Sequence, residues 1–130
     1  MKKIIPFLLS VLLLAGCASP SVQENSYRQI GMDEAIELME NESDYIILDV
    51  RTEAEFSEKR IPGAINVPNE SIGADEIAEL PDKDQLILVY CRSGNRSKQA
   101  SEKLVKLGYT NIVEFGGIND WPGDVVSGEP

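Results

Sequence analysis

The stretch from Cys91 to Ser97, Cys-Arg-Ser-Gly-Asn-Arg-Ser, ends an apolar run with a thiol and follows it with two guanidinium groups, a glycine and small polar side chains. A thiolate is a strong nucleophile, and nearby cations or a helix N-terminus favour the ionised form over the thiol. Nucleophilic sulfur chemistry is what this spacing offers. Between Gln85 and Ser101 there is no carboxylate, yet Arg92, Arg96 and Lys98 all fall in that window. The chain as a whole is acidic, with 22 Asp and Glu against 12 Lys and Arg and a formal net charge of −10. The cationic spot is therefore local, and neither nucleic acid nor an anionic lipid surface is an expected partner of the domain. The sequence has no histidine, so any cysteine chemistry proceeds without the commonest general base, and neither metal nor cofactor is expected. Taken alone, Cys91 reads as a small buried hydrophobe. The combination with its neighbours reads as a nucleophile in an anion-binding loop.

The elements around the loop have to hold it in place. Tyr45 to Val50 and Gln85 to Tyr90 are short, branched apolar runs of the kind that form buried parallel strands, and Asn111 to Phe115 is a third. Helical spacing of apolar residues occurs in Asp33–Glu40, in Ala74–Leu80 before Pro81, and in Arg96–Leu107, where Gly108 is the expected stop. Glu53 to Lys59 suggests a further short helix, and Pro62, Gly63 and Pro68 bracket a brief extended piece. Strands alternating with helices predict an α/β fold, a central parallel sheet with helices on both faces. Cys91 then follows directly on a central strand, at the carboxyl end where open α/β sheets bind ligands. Gly94 permits the turn, Asn95 tolerates it, and the loop amides and helix N-terminus together form an anion site.

The N-terminus has its own logic. Lys2 and Lys3 precede an apolar run from Ile4 to Ala15, too short for a bilayer span of about 20 residues but suited to a secretory leader. The end of this run, Leu14-Ala15-Gly16-Cys17, resembles the lipobox of bacterial lipoproteins. That resemblance implies cleavage after residue 16 and lipidation of Cys17, with several acyl chains as a firm anchor. Residues 17–28 then form the lipidated cysteine and a polar tether, and 29–130 the domain. The expected location is the cell envelope. With two membranes, Ala18 in place of an aspartate favours the outer membrane facing the periplasm; with one, the outer face of the cell membrane is expected.

Taken together, Cys91–Arg96, Leu48–Phe56 with its Asp-Val-Arg and following glutamate, Ile61–Pro68 and Gly116–Trp121 resemble, in order, the signatures of the rhodanese (sulfurtransferase) family in its single-domain form. Arg60 departs from that pattern, since many members have histidine there. The resemblance implies a rhodanese-like fold and a persulfide relay. Cys91 would take the outer sulfur of a donor such as thiosulfate and pass it to cyanide, a small thiol or a thiol-bearing protein. Backbone amides of Arg92, Ser93, Gly94, Asn95, Arg96 and Ser97 would hold the persulfide, and the Arg92 and Arg96 guanidiniums would orient the anionic donor. Asp49 and Arg51 would brace the loop. A phosphatase of related fold needs one more residue between Cys and Arg, and a dithiol redox role needs a second cysteine on a partner. A binding module that has lost its chemistry is the remaining alternative.

Overall fold

The computed structural model describes residues 26–130, so the leader, Cys17 and most of the tether lie outside the described residues. In chain order the elements are β1 (Arg28–Gln29), α1 (Met32–Asn41), β2 (Tyr45–Asp49), α2 (Glu53–Glu58), β3 (Ile65–Asn66), β4 (Leu86–Cys91), α3 (Asn95–Lys106) and β5 (Ile112–Gly117). Their strands form one parallel sheet in the order β1-β5-β4-β2-β3. The central strands β4, β2 and β5 are apolar on both sides because the sheet is covered on both. Alternation along each strand sorts the core into two layers. Leu48, Ile87, Val89, Cys91 and Ile112 face α3 through Ala100 and Leu104, whereas Ile47, Leu88, Tyr90, Val113 and Phe115 face α1 through Ala35. Each of these buried aliphatic side chains contributes about 1.5–3 kcal/mol by leaving water. A capping box, Thr52 with Glu55, starts α2. Gly108 adopts φ +97° just past α3, as a helix stop does.

Two expectations change. Ala74–Leu80 is not a helix but a series of bends and a turn, with a 3-10 turn at Asn69–Ser71 before it. Flanked by Gly73 and Pro81, so short a segment gains too few helical hydrogen bonds to offset nucleation. Its apolar residues are nonetheless buried: Ile77 and Leu80 sit under α3, and the Tyr109 hydroxyl donates to the Leu80 carbonyl at 2.6 Å. Cys91 is the last residue of β4 rather than the first after it, paired with Gly117 of β5. At the other end of the chain, β1 starts at Arg28, within the stretch read as tether, and Tyr27 already packs on the core.

Candidate active site

β4 carries Cys91 to the carboxyl end of the sheet, and the chain turns at once through Arg92, Ser93 and Gly94 into α3. Gly94 takes φ +112°, which a side chain would resist, and its N–H donates to Cys91 Sγ at 3.0 Å. Ser97, on the first turn of α3, approaches the sulfur from the other side, with its Oγ 3.3 Å from Sγ. The loop is fixed from β5 as well. The β4–β5 register slips between Val89–Glu114 and Cys91–Gly117, so β5 accommodates one extra residue there, and Gly116 within this bulge has φ +97°. Gly117 then runs so close beneath the loop that a Cβ on it would lie 2.1 Å from the Arg92 carbonyl oxygen. That carbonyl accepts from the Asn119 N–H at 3.2 Å.

The sequence-predicted residues divide into four groups. Cys91, Gly94 and Ser97 meet in the buried heart of the loop, with Cys91 itself only 1% exposed. Arg92, Ser93 and Asn95 are on its exposed rim, and Arg92 has no ion-pair partner among the described residues. Arg96 is half-buried and already engaged: its two terminal nitrogens donate to both oxygens of Glu55 at 2.6 and 3.0 Å. The Glu55 hydrogen bond, opposed by burial and helped by the Glu55 charge, raises the Arg96 guanidinium above its ordinary value. Asp49 and Arg51 form a buried ion pair at 2.7 Å at the end of β2. Arg51 also donates to the Lys59 carbonyl at 2.6 Å, which ties β2 to the end of α2. Burial works against the Arg51 charge, but Asp49 outweighs it and the guanidinium ends above its ordinary value. Arg60, at the position of the departure, stacks over Phe56 and donates to the Gly128 carbonyl at 2.7 Å, holding the C-terminal tail.

Sequence reasoning passed over Glu55 as a partner for Arg96, Gly117 as the floor of the loop, and Glu114. Glu114 is 3% exposed, on the α3 side of β5, and its Oε1 accepts from Ser97 Oγ at 2.7 Å and from the Gly116 N–H at 2.8 Å. An acid inside an otherwise apolar strand run was the available signal. Beside the loop lies a cleft of about 150 Å³, lined by Arg51, Glu55, Glu58, Lys59, Arg92, Ile118 and Asn119. A larger groove of about 690 Å³ sits away from the cysteine, between α2, β3 and the C-terminal Glu129 and Pro130.

A thiol at the carboxyl end of a central parallel strand, under a tight loop that opens a helix, is the geometry that comparison with known proteins resolves. Residues 32–124 match the rhodanese-like domain. The chain belongs to the rhodanese-like family. It is 36% identical over 73 residues to the thiosulfate sulfurtransferase PspE of Escherichia coli, covering 56% of this chain and 70% of that one. It is 39% identical over 100 residues to the adenylyltransferase and sulfurtransferase UBA4 of Candida albicans, where it spans 72% of itself but 23% of that longer protein. Among solved structures, a rhodanese with anions from E. coli superposes with a TM-score of 0.59 at 35% identity, covering 65% of this chain and 99% of the other. The rhodanese-like chain is thus an enzyme of the sulfurtransferase type, built on the rhodanese fold of a parallel sheet between helices. Separately, residues 1–18 match a prokaryotic membrane lipoprotein lipid attachment site.

Proposed function

We propose that the protein moves a sulfane sulfur from thiosulfate, or a donor of like charge, to a thiol or cyanide by way of a persulfide on Cys91. The observation that carries this reading is the Gly94 N–H aimed at Sγ at 3.0 Å, in a loop whose rim carries an exposed arginine. A main-chain donor of this kind stabilises a negatively charged sulfur without a histidine. Arg92, exposed beside the small cleft, supplies the charge to receive a small dianion. Arg96, neutralised by Glu55, instead fixes the start of α3 against α2. Asp49 and Arg51 act at one remove, bracing the neighbouring strand end and the end of α2.

The lipid attachment match supports residues 1–16 as a leader removed before Cys17; the lipidated cysteine and tether then run up to the catalytic domain, whose first strand begins at Arg28. The enzyme then works at the cell envelope, on the periplasmic side of an outer membrane where there are two membranes and on the outer face where there is one.

One experiment tests the persulfide route. Protein exposed to thiosulfate is analysed by mass spectrometry and assayed for transfer to cyanide and to a thiol. Added sulfur on Cys91, together with turnover that Cys91→Ser abolishes, is the expected result. Wild-type protein that takes up no sulfur on Cys91 from any donor tried overturns the route through Cys91.

A further inference from the structure

Two carboxylates are buried in this domain beside its strand ends, and they are held differently. Asp49 lies in an ion pair with Arg51 at 2.7 Å. Glu114, 3% exposed, has no cation within ion-pair distance among the described residues. A buried carboxylate without a cation is costly to keep charged. Its hydrogen bonds lead to the sulfur. Ser97 has a single hydroxyl proton and three acceptors in reach: Glu114 Oε1 at 2.7 Å, the Gly94 carbonyl at 2.9 Å and the Gly116 carbonyl at 3.4 Å. The closest of these is the carboxylate oxygen, so the hydroxyl donates to Glu114. That orientation turns a lone pair of Ser97 Oγ towards Cys91, whose thiol donates to it at 3.3 Å. Thiol, hydroxyl and carboxylate form a continuous chain of two hydrogen bonds.

From this chain we propose that Glu114 takes up the Cys91 proton through Ser97 and holds it while Cys91 carries sulfur. The inference rests on the sulfur-transfer reading above and deepens it. In the loading step the Sγ–H bond breaks and its proton passes to Ser97 Oγ, as the Ser97 proton passes to Glu114 Oε1. The electron pair left on Sγ forms a bond to the outer sulfur of thiosulfate, whose old S–S bond breaks, and sulfite leaves with that pair. A persulfide anion and a neutral carboxylic acid remain, so the site holds one negative charge before and after. In the transfer step the acceptor anion bonds to the outer sulfur, the S–S pair returns to Sγ, and the proton travels back from Glu114. No external oxidant, reductant or base is needed. Glu114 touches no reacting atom and is in this sense a positioning residue, with Ser97 as its only route to the sulfur.

The experiment is an infrared difference spectrum of the full chain, purified from membranes, before and after persulfidation. Loading is by thiosulfate in one arm and by inorganic polysulfide in the other, and mass spectrometry confirms the added sulfur on Cys91. The expected result is a new protonated-carboxyl band on loading, shifted in heavy water and lost in Glu114→Gln. Glutamine keeps the acceptor oxygen for Ser97 and Gly116, so a purely structural role survives the change. Should the variant fail to fold, the heavy-water shift in the wild-type protein still assigns the band to a carboxylic acid. Loaded protein without the band, or with a band that persists in Glu114→Gln, overturns the inference and leaves sulfur transfer standing. Loading and the band with polysulfide, but no turnover of thiosulfate, does the reverse. A Cys91 that accepts sulfur from neither donor removes both.

Discussion

At the scale of single residues, the ion pair between Glu55 and Arg96 decides which arginine is free for an anion. Its hydrogen bonds to Arg96, helped by those from Thr52 and opposed by burial, hold the Glu55 carboxyl at about 2, against an ordinary value of 4.5. A depressed carboxyl stabilises the fold above its unfolded value, and that stability is lost as pH falls through the folded one. Lowering the pH from about 5 to about 2 should therefore cost the wild type more stability than it costs Glu55→Gln, which has no such proton to take up. With the pair about a quarter exposed, the difference should be on the order of 1–2 kcal/mol rather than the full linkage value. Denaturant unfolding of both proteins across that range measures it, and a gap that stays constant with pH would contradict the assignment. The Cys91 loop was legible in sequence because its signals are local: a thiol, a glycine and cations within a few residues. The Glu55–Arg96 and Ser97–Glu114 contacts were not, since each joins residues far apart in the chain that only the sheet brings together.

At the scale of elements, the three long strands were readable, the two-residue β1 was not, and one expected helix does not form. Tyr45–Asp49, Leu86–Cys91 and Ile112–Gly117 are apolar on both faces because the sheet is covered on both, and no other placement satisfies such runs. Ala74–Leu80 carries a helical pattern, yet its two buried side chains, Ile77 and Leu80, are satisfied by a turn. Pattern reports which residues are buried, and length decides whether a helix can bury them. The β4–β5 bulge is a finer matter of the same kind. Gly116 and Gly117 lie past the apolar run that marks the strand, yet both belong to β5, and Gly117 serves as the surface on which the Cys91 loop rests. Gly117→Ala places a carbon against the backbone of Arg92 and Ser93, where no flexible side chain can yield. It should destabilise the domain by about 3 kcal/mol or more and displace the loop, so that the residual folded protein has lost sulfur transfer. Thermal unfolding alongside turnover checks both, and a variant with native Tm and activity would show that the loop does not depend on this floor.

At the scale of the whole molecule, strand polarity separates the start of the described chain, on the side of the proposed anchor, from the site. Every strand runs parallel to β1, so the chain from the N-terminal segment enters at the amino end of the sheet, while Cys91 closes β4 at the carboxyl end. At about 3.3 Å per residue, the six residues of β4 put roughly 20 Å between the two ends. The amino end also gathers Glu42, Asp44, Asp82 and Asp84 around a shallow groove. If the proposed anchor on Cys17 holds this domain by that end to an anionic bilayer, the near face would be repelled and the loop would face solvent at the far one. Small donors and soluble thiols should thus reach Cys91 equally well whether or not the domain is anchored. Cys17→Ala is expected to move the protein from the membrane to the soluble fraction with kcat/KM for thiosulfate within about twofold of the anchored form, a change below 0.5 kcal/mol in transition-state stabilisation. A variant that stays with the membrane contradicts lipidation at Cys17. One that is released and gains tenfold or more in kcat/KM shows instead that the bilayer screens the loop, and that the tether brings the carboxyl end of the sheet towards the lipid.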